Sequence, residues 1–190
     1  DGNNYADEAI KKGASLALVN KLGKLNKSKK ILTNNALKIL TDSSKDVRKI
    51  SSAKFISITG SSGKTSLKDL LSFCLNKLGP TTKSTQSFNN KFGVPLSLFN
   101  VKKNDKFAVL EAGMDKAGEI DNLTKIIKPD FGIITNISYA HIKNFKNLDG
   151  IARAKSEIIN NIVEGGKIIL NQDDEYFNFL KKIALKKNIQ

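Results

Sequence analysis

Residues 56–71 read ISITGSSGKTSLKDLL, and no other stretch of the chain restricts the fold as strongly. A β-branched apolar run enters a Gly/Ser turn, and Lys64-Thr65 then opens a segment with the apolar spacing of a helix. Strand, glycine turn and helix in that order build a loop that grips phosphate. The common form is G-x-x-x-x-G-K-[ST]; here Ile58 stands where the first glycine would be, and Gly60 gives the shorter G-x-x-G-K-T. The physics survives the shortening. Gly60 and Gly63 let the backbone turn sharply and let amides come close to phosphate oxygens. The following helix points its N-terminal partial charge at the same anion. Lys64 supplies a point charge for the β and γ phosphates, and the Thr65 hydroxyl is a hard ligand suited to Mg²⁺. The competing explanation is a chance GKT in an ordinary strand–turn–helix connection. The ordered presence of all the parts argues against it.

Strand and helix signals alternate along the rest of the chain. Residues 6–13 predict a short helix ending at Gly13, followed by a strand at 16–19. A second short strand falls at 31–33, and Leu37, Leu40 and Val47 mark a helix with a polar outer face. A new unit begins at Ser51-Ser52. Its strands are expected at 54–59, 107–111, 131–135 and 167–170, with helices at 65–78, 118–128, 149–163 and 174–186. Short hydrophobic strands separated by helices imply a mostly parallel sheet covered on both faces, with ligands at the carboxyl ends of the strands. The expected fold class is therefore α/β, a P-loop sheet preceded by part of a small α/β domain, divided as 1–51 and 52–190. The chain starts inside a β–α pattern and stops without an evident closing element. It reads as a piece of a longer protein.

Composition narrows the function. The net charge of +14 invites a nucleic-acid reading. Yet of the 32 basic residues only Arg48 and Arg153 are arginine, the residue whose planar fork suits bases and phosphates. The lysines are scattered in pairs such as 11–12, 29–30 and 181–182, with no long block, which fits solvated faces better than a binding stripe. No nucleic-acid partner is expected. No apolar run approaches the ~20 residues of a membrane span, and residues 1–20 lack the layout of a signal peptide. Membrane insertion is not expected, and a reducing cytoplasm fits a chain with one cysteine. That residue, Cys74, falls on the apolar side of a predicted helix and reads as small core filler.

Other polar residues recur at strand ends, where a phosphate-binding sheet carries its chemistry. Glu111 ends FAVLE and can reach a cation. His141, the one histidine, follows the next strand in TNISYAH. Lys155 lies in ARAKSEI on a helix face shared with Ile151 and Ile158. Residues 84–98, STQSFNNKFGVPLSL, form a polar loop leading into a helix with Pro95 in its first turn. Each has a bland reading of its own: a solvated carboxylate, a packing histidine, a snorkelling lysine. Arg153 reads as surface.

Taken in order, TGSSGKTS, SFNNKFGVP, LEAG, TNISYAH and ARAKSEI resemble the central domain of the Mur ligases, ATP-dependent amide-forming enzymes of peptidoglycan synthesis. Within that family GSSGKTS, FNNKFGVPLSL and GMDKAGEI most resemble the branch that joins D-alanyl-D-alanine to UDP-N-acetylmuramoyl-tripeptide. DGNNYADEAIKKGASLALV resembles the later part of that branch's N-terminal, UDP-substrate-binding domain. The resemblance covers essentially the whole chain.

It implies a two-stage reaction in which ATP phosphorylates the terminal carboxylate of the UDP-linked peptide. The amine of D-Ala-D-Ala then attacks the acyl phosphate. A carboxylate must approach a triphosphate, so positioned cations are the main catalytic device. By resemblance Gly60, Ser61, Ser62, Gly63, Lys64, Thr65 and Ser66 hold the phosphates, and Asn89 and Asn90 line the site. Thr65 and Glu111 serve one Mg²⁺; His141 and Lys155 serve a second, with Lys155 as a carbamate. A free ammonium repels Mg²⁺, whereas a CO₂-modified lysine offers an anionic oxygen. The catalytic set is Lys64, Glu111, His141 and Lys155. A monomer is expected, and the 190 residues alone are expected to bind nucleotide weakly and to catalyse little, since relatives carry a further C-terminal domain. The rival readings are another ligase of the superfamily, adding the third amino acid or resembling folylpolyglutamate synthetase, and a non-catalytic nucleotide-binding domain.

Overall fold

The computed structural model describes residues 2–22, 27–140 and 142–190. It divides into two compact units, residues 1–43 and 44–190, with the division inside one helix. The first unit holds helix α1 (Ala6–Lys11), strands β1 (Ala17–Val19) and β2 (Lys30–Leu32), and the beginning of α2 (Ala36–Ile50). The two strands pair in parallel, Leu18 opposite Ile31. Ala6, Ile10 and Val19 are buried, and Lys30 Nζ meets Asp7 Oδ1 at 2.8 Å.

The second unit is a five-stranded, all-parallel sheet. Its elements are β3 (Lys54–Thr59), α3 (Lys64–Leu75), β4 (Thr81–Lys83), α4 (Gly93–Phe99), β5 (Phe107–Glu111), α5 (Glu119–Ile127), β6 (Phe131–Ile134), α6 (Leu148–Ser156), β7 (Lys167–Leu170) and α7 (Phe177–Lys186). The strand order is β4-β5-β3-β6-β7, so β3, which carries the glycine turn, lies in the centre. Its register puts Ile58 opposite both Glu111 and Ile133, which brings the ends of β5 and β6 to either side of the turn.

Both faces of the sheet are covered, which is why β3 is buried at every position from Phe55 to Thr59 rather than at alternate ones. Ile56, Ile58, Val109 and Ile133 pack against Leu67, Leu71 and Leu75 of α3. On the opposite face Phe55, Ala108 and Leu110 meet Val94 and Leu98 of α4 and Leu123, Ile126 and Ile127 of α5. A third cluster joins Ile134 to Ile151, Ile158 and Leu180.

The expected strands and helices of this unit are all present, with ends shifted by a few residues. The helix expected over 149–163 stops at Ser156 and tightens to a 3₁₀ segment, Glu157–Asn161. The strand β4 was not expected. It is three residues of Thr and Lys on a sheet edge, too short and too polar for a period-2 signal. Cys74 is exposed, not core filler. Helix α3 buries the stripe centred on Lys68 and Ser72, flanked by Leu67, Leu71 and Leu75, and Cys74 lies off that stripe.

The last turn of α2 is pinned within the second unit by Arg48. Its Nε donates to Ile127 O at 2.7 Å and one terminal nitrogen to Lys128 O at 2.8 Å and Asp130 Oδ2 at 3.4 Å, while the guanidinium lies 4.1 Å from the centre of the Phe55 ring. Asp130 also accepts Phe55 N at 3.0 Å and Lys54 Nζ at 2.7 Å. Arg48→Met keeps the packed stem but strands two carbonyls. It is expected to lower unfolding free energy by about 2–3 kcal/mol in urea titration.

Candidate active site

The site begins where β3 ends. Gly60 has φ +150° and Gly63 φ +76°, backbone conformations that favour glycine. A Cβ on Gly60 would sit 1.7 Å from Thr135 Oγ1, so the turn is pressed directly against the segment that leaves β6. Hydrogen bonds lock the two together. Thr135 Oγ1 donates to Ser62 O at 2.6 Å, Ser61 N to Asn136 O at 3.0 Å and Ser62 N to Asn136 Oδ1 at 3.1 Å. Asn136 Nδ2 donates to Ser62 Oγ at 2.9 Å; Ser61 Oγ donates to Ser138 O at 2.9 Å and accepts Ser138 N at 2.8 Å. Asp174 steadies the same segment by accepting Ile137 N at 2.7 Å.

Ser61 and Ser62 thus direct both amides and both hydroxyls at the neighbouring segment. Besides the Ser62 hydroxyl proton, donors for an anion are offered at the start of α3, where Lys64, Thr65 and Ser66 follow Gly63 with no side-chain cap. Ser66 has an exposed side chain in that first turn. Lys64 Nζ donates to Gly60 O at 2.8 Å, folding the cation over its own loop. Burial pushes its pKa down, and the nearby Glu111 carboxylate pushes it back up.

Beside the turn runs a chain of polar contacts that the sequence separates widely. Thr65 Oγ1 donates to Glu111 Oε2 at 2.8 Å, and Asn89 Nδ2 donates to Glu111 Oε1 at 2.8 Å. Glu111 is 1% exposed, and its amide donates to Ser84 Oγ at 3.1 Å. Asn89 O accepts Gly113 N at 2.8 Å, closing the 84–89 segment onto β5 and the residues after it. Asn90 turns its side-chain oxygen to Phe92 N and Gly93 N, each at 3.0 Å, where α4 begins.

Lys155 is the third component. It projects from α6 and is 2% exposed, so it does not snorkel to water. Among the described residues its Nζ has no hydrogen-bond or carboxylate partner. Burial, and then repulsion from Lys64, bring its pKa down to about 7. Lys64, Lys155, Asn89 and Asn90 line one cleft of about 490 Å³. Arg153, on the same helix, is exposed and lies over Phe179. His141 lies outside the described residues.

The donors fit the groups the sequence implies. Thr65 and Glu111 present hard oxygens side by side, the chemistry Mg²⁺ prefers. Among the described residues no group of three or more His, Cys, Asp or Glu is placed to hold a metal ion. Any Mg²⁺ here would be completed by phosphate and water oxygens rather than by an all-protein cage, as is usual for that ion. The glycine turn and uncapped α3 fit a nucleotide phosphate chain.

Sequence reasoning missed Asn136, Ser138 and Ser84. Asn136 stood inside TNISYAH, and its position one residue beyond a strand next to the glycine turn was the usable signal. Ser84 and Ser138 carried none, because Ser84 meets the backbone of β5 and Ser138 offers only its own backbone N and O to the Ser61 hydroxyl, contacts that any residue order can conceal.

The family description "Mur ligase middle domain" matches residues 58–190. Over its whole length the chain is 38% identical to the UDP-N-acetylmuramoyl-tripeptide--D-alanyl-D-alanine ligase of Buchnera aphidicola subsp. Baizongia pistaciae, covering 41% of that protein. The chain spans about two-fifths of the length of the curated relatives it matches. Among solved structures, MurF from Acinetobacter baumannii superposes with a TM-score of 0.88 at 33% identity, over 98% of this chain and 41% of that one. MurF ligase from Thermotoga maritima, crystallised in complex with ADP, gives 0.84 at 27% identity over 98% of this chain and 43% of that one.

Proposed function

The chain belongs to the Mur ligase middle-domain family, and from that premise we propose that it is the ATP-binding part of a ligase joining D-Ala-D-Ala to UDP-N-acetylmuramoyl-tripeptide. Residues 52–190 form the nucleotide domain in this reading, and residues 1–51 contribute to a UDP-substrate domain. The enzyme works in the cytoplasm as a monomer. What supports the reading is one arrangement: Lys64, which feels the charge of Glu111 in the Thr65–Glu111–Asn89 chain, lines one cleft with Asn89 and with Lys155, which has no partner among the described residues.

In this arrangement the amides at the start of α3 and Lys64 hold the phosphates. Glu111 orients the Thr65 hydroxyl, and Asn89 holds the other Glu111 oxygen so that the carboxylate cannot swing away. Mg²⁺, when bound, neutralises charge that builds on the transferring phosphoryl group. Thr65 and Glu111 would hold one ion; Lys155, as a carbamate, would offer an anionic oxygen to a second, with His141 as its expected fellow ligand. The interlock of Asn136 with Ser61 and Ser62 keeps the glycine turn rigid while the peptide carboxylate approaches.

A substrate panel tests the proposal in the ligase that carries this chain. Phosphate release is expected with UDP-N-acetylmuramoyl-tripeptide plus D-Ala-D-Ala and not with folate or with a single amino acid as acceptor. Turnover with UDP-N-acetylmuramoyl-dipeptide and a diamino acid instead would move the protein to the third-residue-adding branch. No ATP-dependent turnover with any pair would leave the non-catalytic reading.

A further inference from the structure

Helix α3 buries a second lysine that the nucleotide chemistry does not use. Lys68 follows Lys64 by one turn, so the two project on the same side of the helix. Its side chain is 1% exposed. Burying an ammonium is costly unless its donors are met, and this one has few partners. Nζ donates to Gln86 O at 2.5 Å and lies 3.6 Å from Asp69 Oδ1. Asp69 is half exposed and already held by Lys83 at 2.7 Å, so it is a diluted counter-charge. The strong contact is with a backbone carbonyl, and Gln86 sits there at φ +45°, a left-handed conformation that a non-glycine residue adopts at some cost.

The place of that carbonyl gives the contact its meaning. Gln86 is the middle of the segment from Ser84 to Asn89, whose two ends are tied to β5: Ser84 N donates to Val109 O, Ser84 Oγ accepts Glu111 N, and Asn89 holds Glu111 Oε1. Between those ties, the hydrogen bond from the described residues of α3 to the segment is that of Lys68. The helix that carries Lys64 and Thr65 is thereby joined to the segment that carries Asn89. We propose that Lys68 is a positioning residue: it clamps the Gln86 carbonyl so that Asn89 presents its amide to Glu111, which in turn faces Thr65. The space supports the same conclusion, because a Cβ on Gly113 would lie 2.7 Å from Asn89 Cγ, so Asn89 has little freedom to find another pose. This inference rests on the ligase reading above, but the clamp itself is a property of the fold.

The test compares Lys68→Met, Lys68→Arg and Asn89→Ala with the unmodified ligase that carries this chain. Lys68→Met is expected to lower kcat about 10- to 100-fold, the range seen when a group that orients a ligand is lost. KM for the UDP-linked peptide should move less than about threefold, because that substrate is not touched. Lys68→Arg should restore most of the rate. Lys68→Met combined with Asn89→Ala should be no slower than the slower single variant, since both break one chain of contacts. Amide hydrogen exchange over residues 86–90 should quicken in Lys68→Met while the rest of α3 stays protected. Should Lys68→Met fail to fold, Lys68→Gln replaces it in every arm. Unchanged exchange over 86–90, or single-variant effects that multiply in the double variant, would overturn the clamp. An unmodified ligase without turnover refutes the functional reading instead, and the exchange measurement still decides on Lys68.

Discussion

In the proposed ligase, Lys155→Ala is expected to cost about 10²- to 10³-fold in kcat or more, on the scale of losing one preorganised charge from a buried site. The reason starts from burial. Lys155 is 2% exposed, faces Lys64, and has no partner among the described residues, so the ammonium is held at a disadvantage and its pKa falls to about 7. Above that value the neutral amine is the prevailing form. Its lone pair can then attack the carbon of CO₂, one C=O electron pair moves to oxygen, and the surplus proton leaves to water. A cation beside Lys64 becomes an anion, which removes the repulsion and supplies an oxygen ligand.

Formate or acetate should therefore restore part of the activity of Lys155→Ala, and CO₂-depleted buffer should slow the unmodified enzyme most below pH 7, where the ammonium prevails. The unmodified amine also sets a sign for stability. Between pH 7 and the ordinary 10.5 the unfolded chain holds a proton that the folded chain does not. Stability relative to Lys155→Met should rise with pH across that window and be lowest below it. No rescue by carboxylates together with indifference to CO₂ would remove the carbamate from the account.

Gly60→Ala is the second large effect, and it should appear without any substrate. Two separate penalties meet there. At φ +150° a side chain is strained, at about 1–3 kcal/mol. The new methyl would also fall 1.7 Å from Thr135 Oγ1, which now donates to Ser62 O. Thr135 must leave, and the interlock of the turn with 135–138 goes with it. The expected loss is about 3 kcal/mol or more in denaturant unfolding, together with loss of measurable MgADP binding by calorimetry. The double variant Gly60→Ala, Thr135→Ala separates the penalties. Removing the hydroxyl relieves the collision, while the Thr135 Cβ still stands 3.0 Å away and φ is unchanged. Partial recovery is the expected result; full recovery would show that the backbone conformation carries no cost.

Much of this site was legible before any coordinates. The glycine turn, Lys64 and Thr65 announce themselves because their work is local: strand, turn and helix N-terminus are contiguous in the chain. Glu111 was legible as a carboxylate closing a strand, and the register that sets it opposite Ile58 makes the contact with Thr65 possible. The polar edge strand β4 was not legible, because three residues of Thr and Lys carry no periodicity. Cys74 was misread because Leu67, Leu71 and Leu75 suggested a wider apolar face than α3 buries, the buried centre being Lys68 and Ser72.

The amino-acid order by itself determined the parallel sheet, the place of the phosphate turn within it and the kinds of ligand atom available, since each follows from residues near one another in the chain. Folding alone decided what those atoms face. Whether a lysine is a solvated cation, a clamp or a nucleophile toward CO₂ depends on which remote segments exclude water from it. Lys68 meets Gln86 O, and Lys155 lies in the field of Lys64, only because elements well apart in the chain close over them.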